Sequence, residues 1–285
     1  MYKLGIDIGA SHIGLGIFDT KKRQIVKKKY IPTKRPNKYL RKFFKPIITK
    51  KYLELLTSKI DSFIEGYKIE YIGIGCPGKV DPENTIFFGT KYLGVGKINF
   101  KKQLAKYNCP IYVDNDTNCA AIGEAINNEY TNFLMITIGT GVGFSLIKKN
   151  KTKVKLSTDT QIEKIKKLNK IPNTKNSQYI ESFKNLSKKY NNLKQEELPR
   201  EAIFDDIKNT RHIIDKYIEN FVEGINVINK EVKIKNICIG GTFSLHKRYY
   251  LRKMQEALPK HNIFIAKNYN DAGIIGAINL PIKRY

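Results

Sequence analysis

A hairpin turned on glycine occurs twice in this chain, at corresponding places in its two halves. In Tyr2–Ile8 the apolar Leu4, Ile6 and Ile8 alternate with Gly5 and Asp7, and in Ile13–Phe18 Ile13, Leu15 and Ile17 alternate with Gly14 and Gly16. A period of two marks strands, and the intervening Gly9-Ala10-Ser11-His12 marks a hairpin turn. The same grammar restarts with Phe133–Ile138, Gly139-Thr140-Gly141 and Gly143–Ile147. Behind the first hairpin, Lys21–Lys29 predicts a polar turn and a third strand. Lys38–Phe63 predicts one helix, with Leu53, Leu56 and Ile60 on one side, and Tyr71–Ile74 a buried strand closed by Gly75-Cys76-Pro77-Gly78. Ile98–Tyr107 predicts another helix and Ile111–Val113 another strand. Behind the second hairpin come the long amphipathic Ile213–Ile228, the strand Ile237–Ile239 with Gly240-Gly241, and a closing helix, Asp271–Leu280. Two copies of hairpin, helix, strand and turn imply an internally duplicated α/β fold. The expected lobes are 1–115, with 271–285 packing back on it, and 116–270, with ligands taken in a central inter-lobe cleft.

At 285 residues and 41% hydrophobic the chain can bury a sizeable core, and no apolar run approaches the ~20 residues of a membrane span. The N-terminus enters a strand pattern directly, so a cytoplasmic protein without membrane partners is expected. Cys76, Cys109, Cys119 and Cys238 form no C-x-x-C pair and are expected as small buried side chains. The net charge of +26 comes mostly from Lys spread along the whole chain. Base readers lean on Arg, and neither an aromatic platform nor a helix-turn-helix signature is present, so a nucleic-acid partner ranks last. The segment of about 148–199, rich in Lys, Asn and Gln, is expected as an exposed insertion with a helix from about Ser177 to Tyr190.

Several of these turns carry chemistry. Asp7 sits just before the Gly9-Ala10-Ser11 turn, where converging N–H groups meet an anion and the carboxylate holds magnesium directly or through water. Taken alone, the turn reads first as an ordinary hairpin, because glycine turns are common there. In the second hairpin, Thr140 adds a hydroxyl for phosphate and Gly141 leaves the backbone open. Asp114-Asn115-Asp116 follows a strand and opens a helix, so its members either cap that helix or present a proton acceptor and a sugar-binding amide. The turn ending at Gly78 either frames a sugar pocket or reverses the chain. Gly240-Gly241 either admits an adenosine closely or is a plain turn. No G-x-x-x-x-G-K-[ST] loop occurs.

In order, these motifs are D-I-G-A-S at Asp7, G-C-P-G-K-V-D at Gly75, N-D-T-N-C-A-A-I-G-E at Asn115, I-G-T-G-V-G at Ile138, I-G-G-T at Ile239 and D-A-G-I-I-G-A at Asp271. As a set they resemble the ROK family of sugar kinases and repressors, in the actin, hexokinase and Hsp70 superfamily. The resemblance implies a ribonuclease H-like, actin-like ATPase fold and an ATP-dependent, magnesium-assisted kinase of a sugar hydroxyl, as a homodimer. It implies Asp116 as catalytic base, and Asn115, Gly78 and Glu181 near the sugar. It implies Asp7, Gly9, Ala10, Ser11, Thr140, Gly141, Gly240 and Gly241 near ATP, with Asp7 also at the Mg2+ ion. The family's zinc segment is replaced: no Cys or His lies between Cys119 and His212, so no zinc site is expected. Tyr92 stands where the family has a sugar-binding Asn. The phosphate motifs are thus better kept than the sugar motifs, and a catalytically impaired protein that binds sugar or nucleotide and acts through a partner is the alternative.

Overall fold

The structure, a computed structural model, describes residues 1–9, 11–33, 36–126, 129–150, 154–157, 159–174 and 177–281. Two compact units divide it: one takes in Met1–Asn127 and Asn270–Ile282, the other Asn128–Tyr269.

In the first unit β1 (Tyr2–Ile8) and β2 (His12–Asp19) form an antiparallel hairpin that sets Asp7 opposite Gly14, and β3 (Gln24–Pro32) extends it. The helical stretch from Lys38 is two helices, α1 (Lys38–Phe43) and α2 (Lys45–Ile64), where the sequence pattern predicts one. Phe44 leaves helical geometry at φ −114°, ψ 30°. A continuous helix would drive the ring of Pro46 into the carbonyl four residues earlier. β4 (Ile69–Cys76) runs parallel to β1, and β5 (Val80–Asp81), β6 (Ile86–Phe87) and β7 (Ile98–Asn99) make a small separate sheet. The helix expected over 98–107 is therefore a strand followed by the short α3 (Phe100–Gln103) and a 3-10 turn. Ile98 is held by pairing with Phe87, the Asn99 side chain caps α3, and Asn108 at φ 46° ends the 3-10 turn. β8 (Ile111–Asn115) leads into α4 (Asp116–Ile126), and the main sheet has the order β3-β2-β1-β4-β8.

The second unit repeats the plan. β9 (Asn132–Ile138) and β10 (Val142–Lys149) are the second hairpin, and β11 (Val154–Leu156) extends it. Then come α5 (Asp159–Leu168), α6 (Phe183–Lys194), α7 (Ala202–Asp205), α8 (Ile207–Val232), β12 (Asn236–Gly240), α9 (Leu251–Ala257) and β13 (Asn262–Ile265). The sheet order β11-β10-β9-β12-β13 places two parallel strands beside an antiparallel hairpin, as in the first unit. The Lys-rich segment is not simply exposed: Val154, Leu156, Ile162, Ile165, Tyr179 and Ile180 are buried. Its helix starts later than expected because Asn169 clamps the preceding backbone. Asn169 Oδ1 accepts from Ile180 N at 2.8 Å and its carbonyl from Tyr179 N at 2.9 Å; only then does Ser182 cap α6.

The last helix, α10 (Ala272–Ile278), belongs to the first unit. It lies on the glycine face of the main sheet, so close that a Cβ on Gly73 would stand 1.8 Å from the Ala277 carbonyl oxygen. On its other flank a Cβ on Gly276 would stand 1.6 Å from the carbonyl oxygen of Cys119 in α4. Backbone cannot yield there as a flexible side chain can. Gly276→Ala is therefore expected to destabilise the first unit by about 3 kcal/mol or more, read as a lowered midpoint in urea unfolding; an unchanged midpoint would refute this packing.

Candidate functional site

The alternation of β1 buries Leu4, Ile6 and Ile8 on one face and leaves Asp7 at the strand end on the other. Across the sheet Asp7 is in register with Gly14 of β2 and Gly75 of β4, neither of which has a side chain to crowd it. From above, Gly273 of α10 comes so near that a Cβ there would lie 2.4 Å from Asp7 Oδ2. Asp116, the first residue of α4, follows directly from β8, which is parallel to β4.

Asp7 senses the charge of Asp116. Burial, and then the charge of Asp116, push Asp7 up to about 7. Burial pushes Asp116 up to about 6 against the hydrogen bonds from Thr117 and Asn115 that pull it down. Each side chain is recessed among protein atoms while keeping part of its surface open to solvent. No cationic side chain pairs with either among the described residues.

The neighbouring Asn115 is fully engaged. Its Nδ2 donates to the carbonyls of Gly78 (2.9 Å) and Cys76 (3.4 Å), and its Oδ1 accepts from Thr117 N at 3.0 Å. It ties the turn after β4 to the start of α4, and Gly78 takes φ +91° in that turn, a backbone state that favours glycine. The buried Asp114 accepts from Asn115 N and from Asn118 Nδ2, which fixes the first turn of α4.

In both hairpin turns the first glycine's N–H is already used: Gly9 N donates to His12 O and Gly139 N to Gly141 O, each at 2.9 Å. Ser11 Oγ is hydrogen-bonded to His12 Nδ1 at 3.2 Å, and Ala10 lies outside the described residues. Beside the first hairpin, Asp271 accepts from the Tyr30 hydroxyl and, at 2.6 Å, from Lys28 Nζ. That network joins β3 to the start of α10. The sequence offered no signal for it, because its members are some 240 residues apart.

In the second unit Thr140 and Gly141 stand at the hairpin turn, and Thr140 Oγ1 accepts from Arg200 Nη2 at 3.2 Å. Behind the turn, Gly241 at φ +79° packs on the end of β9; a Cβ on it would lie 2.5 Å from the Ile138 carbonyl oxygen. Gly240, at the end of β12, sits against the Met135 side chain. Glu181 lines a cavity of about 240 Å³ with Ser177, Gln178, Asn185, Lys188 and Lys189, and pairs with Lys189 at 3.0 Å. The structure thus brings Asp7, Asn115, Asp116 and Gly78 together in the first unit, and Thr140, Gly141, Gly240 and Gly241 around one turn of the second.

Comparisons with known proteins bear on the family and the fold. The model of the ROK family matches residues 3–154. An N-acetyl-D-glucosamine kinase of Citrobacter koseri is 30% identical over 151 residues, covering 50% of this chain and 45% of the relative. The matched stretch thus spans less than half the length of that relative. Among solved structures, a ROK family protein from Streptococcus pneumoniae in complex with sucrose superposes with a TM-score of 0.79 at 18% identity, over 98% of this chain and 96% of that one. A ROK family glucokinase from Streptomyces griseus in complex with glucose and AMPPNP gives 0.75 at 17% identity, over 98% and 99%. The fold is that of these ROK family structures.

The raised carboxylates imply a pH signature. A buried Asp7 that ionises near 7 instead of near 3.8 binds its proton more tightly folded than unfolded. Its contribution to stability is therefore complete below the unfolded value and lost as pH rises through about 7. Asp7→Asn removes that loss. Without ligands, the variant is expected to be more stable than the natural chain at pH 8, by on the order of 1–2 kcal/mol after solvent screening. At pH 4 the two should melt together; an advantage that does not change with pH would contradict the assignment.

Proposed function

The chain belongs to the ROK family, and on that premise we propose that it is an ATP-dependent kinase of a sugar hydroxyl. The observation that carries this reading is the pair Asp7 and Asp116, two recessed carboxylates of raised proton affinity with no cationic partner among the described residues. Asp116, lifted to about 6, is a base strong enough to accept a hydroxyl proton and still ionised at neutral pH. Asn115 holds the Gly78 turn in place beside it and so shapes the acceptor side. Glu181 is the sugar-side residue of the second unit.

For ATP, the groups of the first unit are Asp7 and its glycine turn; those of the second are Thr140 and Gly141 for phosphate and Gly240 and Gly241 for adenosine. A magnesium ion suits Asp7, because a hard cation takes carboxylate and phosphate oxygens and would offset the burial and the Asp116 charge that now raise this carboxyl. Among the described residues no three His, Cys, Asp or Glu side chains gather around a metal position, so phosphates and water would complete the shell. When bound, the ion supplies charge neutralisation for the transferred phosphoryl group. The chain itself orients the acceptor, removes its proton at Asp116 and holds the phosphates by backbone and hydroxyl donors. The protein works in the cytoplasm as a homodimer.

N-acetyl-D-glucosamine heads the list of acceptors, since a relative that matches half of the chain is a kinase of that name. Glucose follows. The engaged amide of Asn115 favours one other reading, a protein that binds nucleotide or sugar without turnover. ADP release measured across N-acetylhexosamines and hexoses separates the two, since only a kinase shows sugar-dependent release. With the acceptor found, Asp116→Asn is expected to lower kcat by about 10²–10⁴-fold with little change in the KM for ATP. The natural enzyme's kcat should fall as pH drops below about 6. A variant within about threefold of the natural rate would exclude Asp116 as the base.

A further inference from the structure

The turn Gly139-Thr140-Gly141 is surrounded by donors that the fold does not use. Arg200 lies between α6 and α7, partly buried, with Pro199 beginning the turn that Ala202 N closes on the Pro199 carbonyl. Its side chain reaches back across 60 residues to donate one bond to Thr140 Oγ1. None of the ion pairs among the described residues includes Arg200. A guanidinium carries five N–H donors and a permanent charge, and here one donor meets a neutral hydroxyl and no carboxylate answers the charge.

A second, independent observation lies on the other side of the same turn. The Thr242 hydroxyl is buried and has no hydrogen-bond partner, and it stands 3.7 Å from the place a Cβ on Gly139 would occupy. A buried polar group left in this state is costly unless a ligand satisfies it. The turn is also open: Gly141 is exposed, and a Cβ on it would meet nothing within 4 Å. A cation, a hydroxyl without a partner and an unobstructed glycine backbone all belong to this one turn, a donor set that suits an anion.

We propose that Arg200 is a phosphate-binding residue, contacting the phosphate chain of a nucleoside triphosphate laid over the Gly139–Gly141 turn, with the Thr242 hydroxyl as a second donor. This rests on the reading of the second hairpin as a phosphate turn. Thr140 positions the guanidinium in advance, so that its fork is already oriented when the anion arrives. A purely structural brace would not need the permanent charge, and its loss would affect ATP and adenosine alike.

That difference is the test. ATP and adenosine are titrated calorimetrically into the full-length natural chain and into Arg200→Gln, Arg200→Lys and Thr242→Val. Arg200→Gln is expected to weaken ATP about 10–100-fold while adenosine stays within about twofold, and Arg200→Lys to recover part of the loss. Thr242→Val should weaken ATP about 3–10-fold, again without touching adenosine. If Arg200→Gln binds ATP as the natural chain does, or loses ATP and adenosine in equal measure, Arg200 is a brace and the proposal is wrong. A natural chain that binds neither ligand would overturn the nucleotide reading itself, a result distinguishable from the first.

Discussion

The first unit depends on one close contact, the seating of α10 on a sheet face from which side chains have been removed. Gly5, Gly14, Gly16 and Gly73 present bare backbone to Ile274, Ala277 and Ile278, while the opposite face of β1 sends Leu4, Ile6 and Ile8 into the apolar core with Leu56 and Ile60 of α2. Such an interface gains from dispersion only because the surfaces nearly touch. The same seating brings Gly273 over Asp7 and Gly276 against α4, the helix that begins with Asp116. The spacing of the carboxylate pair and the packing of the helix are therefore one geometric fact.

Much of this was legible in the sequence, for a definite reason. Strands β1, β2, β9 and β10 declare themselves through period-two alternation, and the Asp-Asn-Asp run declares a strand end followed by a helix start. Local patterns of that kind need no knowledge of what packs on them. The glycines of β1 and β2 were visible too, but their purpose was not, since the helix that requires them is encoded at the far end of the chain. Interactions without periodicity stayed hidden: the Asn169 clamp that delays α6, the Tyr30–Asp271–Lys28 network and the Arg200–Thr140 bond. The Lys-rich segment misled because charge density masked a sparse but helically spaced apolar set, Ile162 and Ile165, that reaches the core.

The charge distribution separates two roles that composition merges. An excess of +26 is carried mostly by lysines spread along the chain, a general field that attracts anions without choosing among them. The placed electrostatics are two carboxylates of raised proton affinity in the first unit and, in the second, a guanidinium with no ion pair among the described residues. The general field is spread over the surface, whereas these three groups are each fixed at one place in the fold.

Because α10 belongs to the unit that β1 begins, that unit is discontinuous in the chain, with the whole of the second unit inserted between its parts. During vectorial synthesis the glycine face of the sheet emerges long before its covering helix and must wait, bare, while the ribosome makes everything else. The Asp7 environment is accordingly among the last parts of the first unit to be completed, because Gly273, which covers it, is encoded near the far end of the chain.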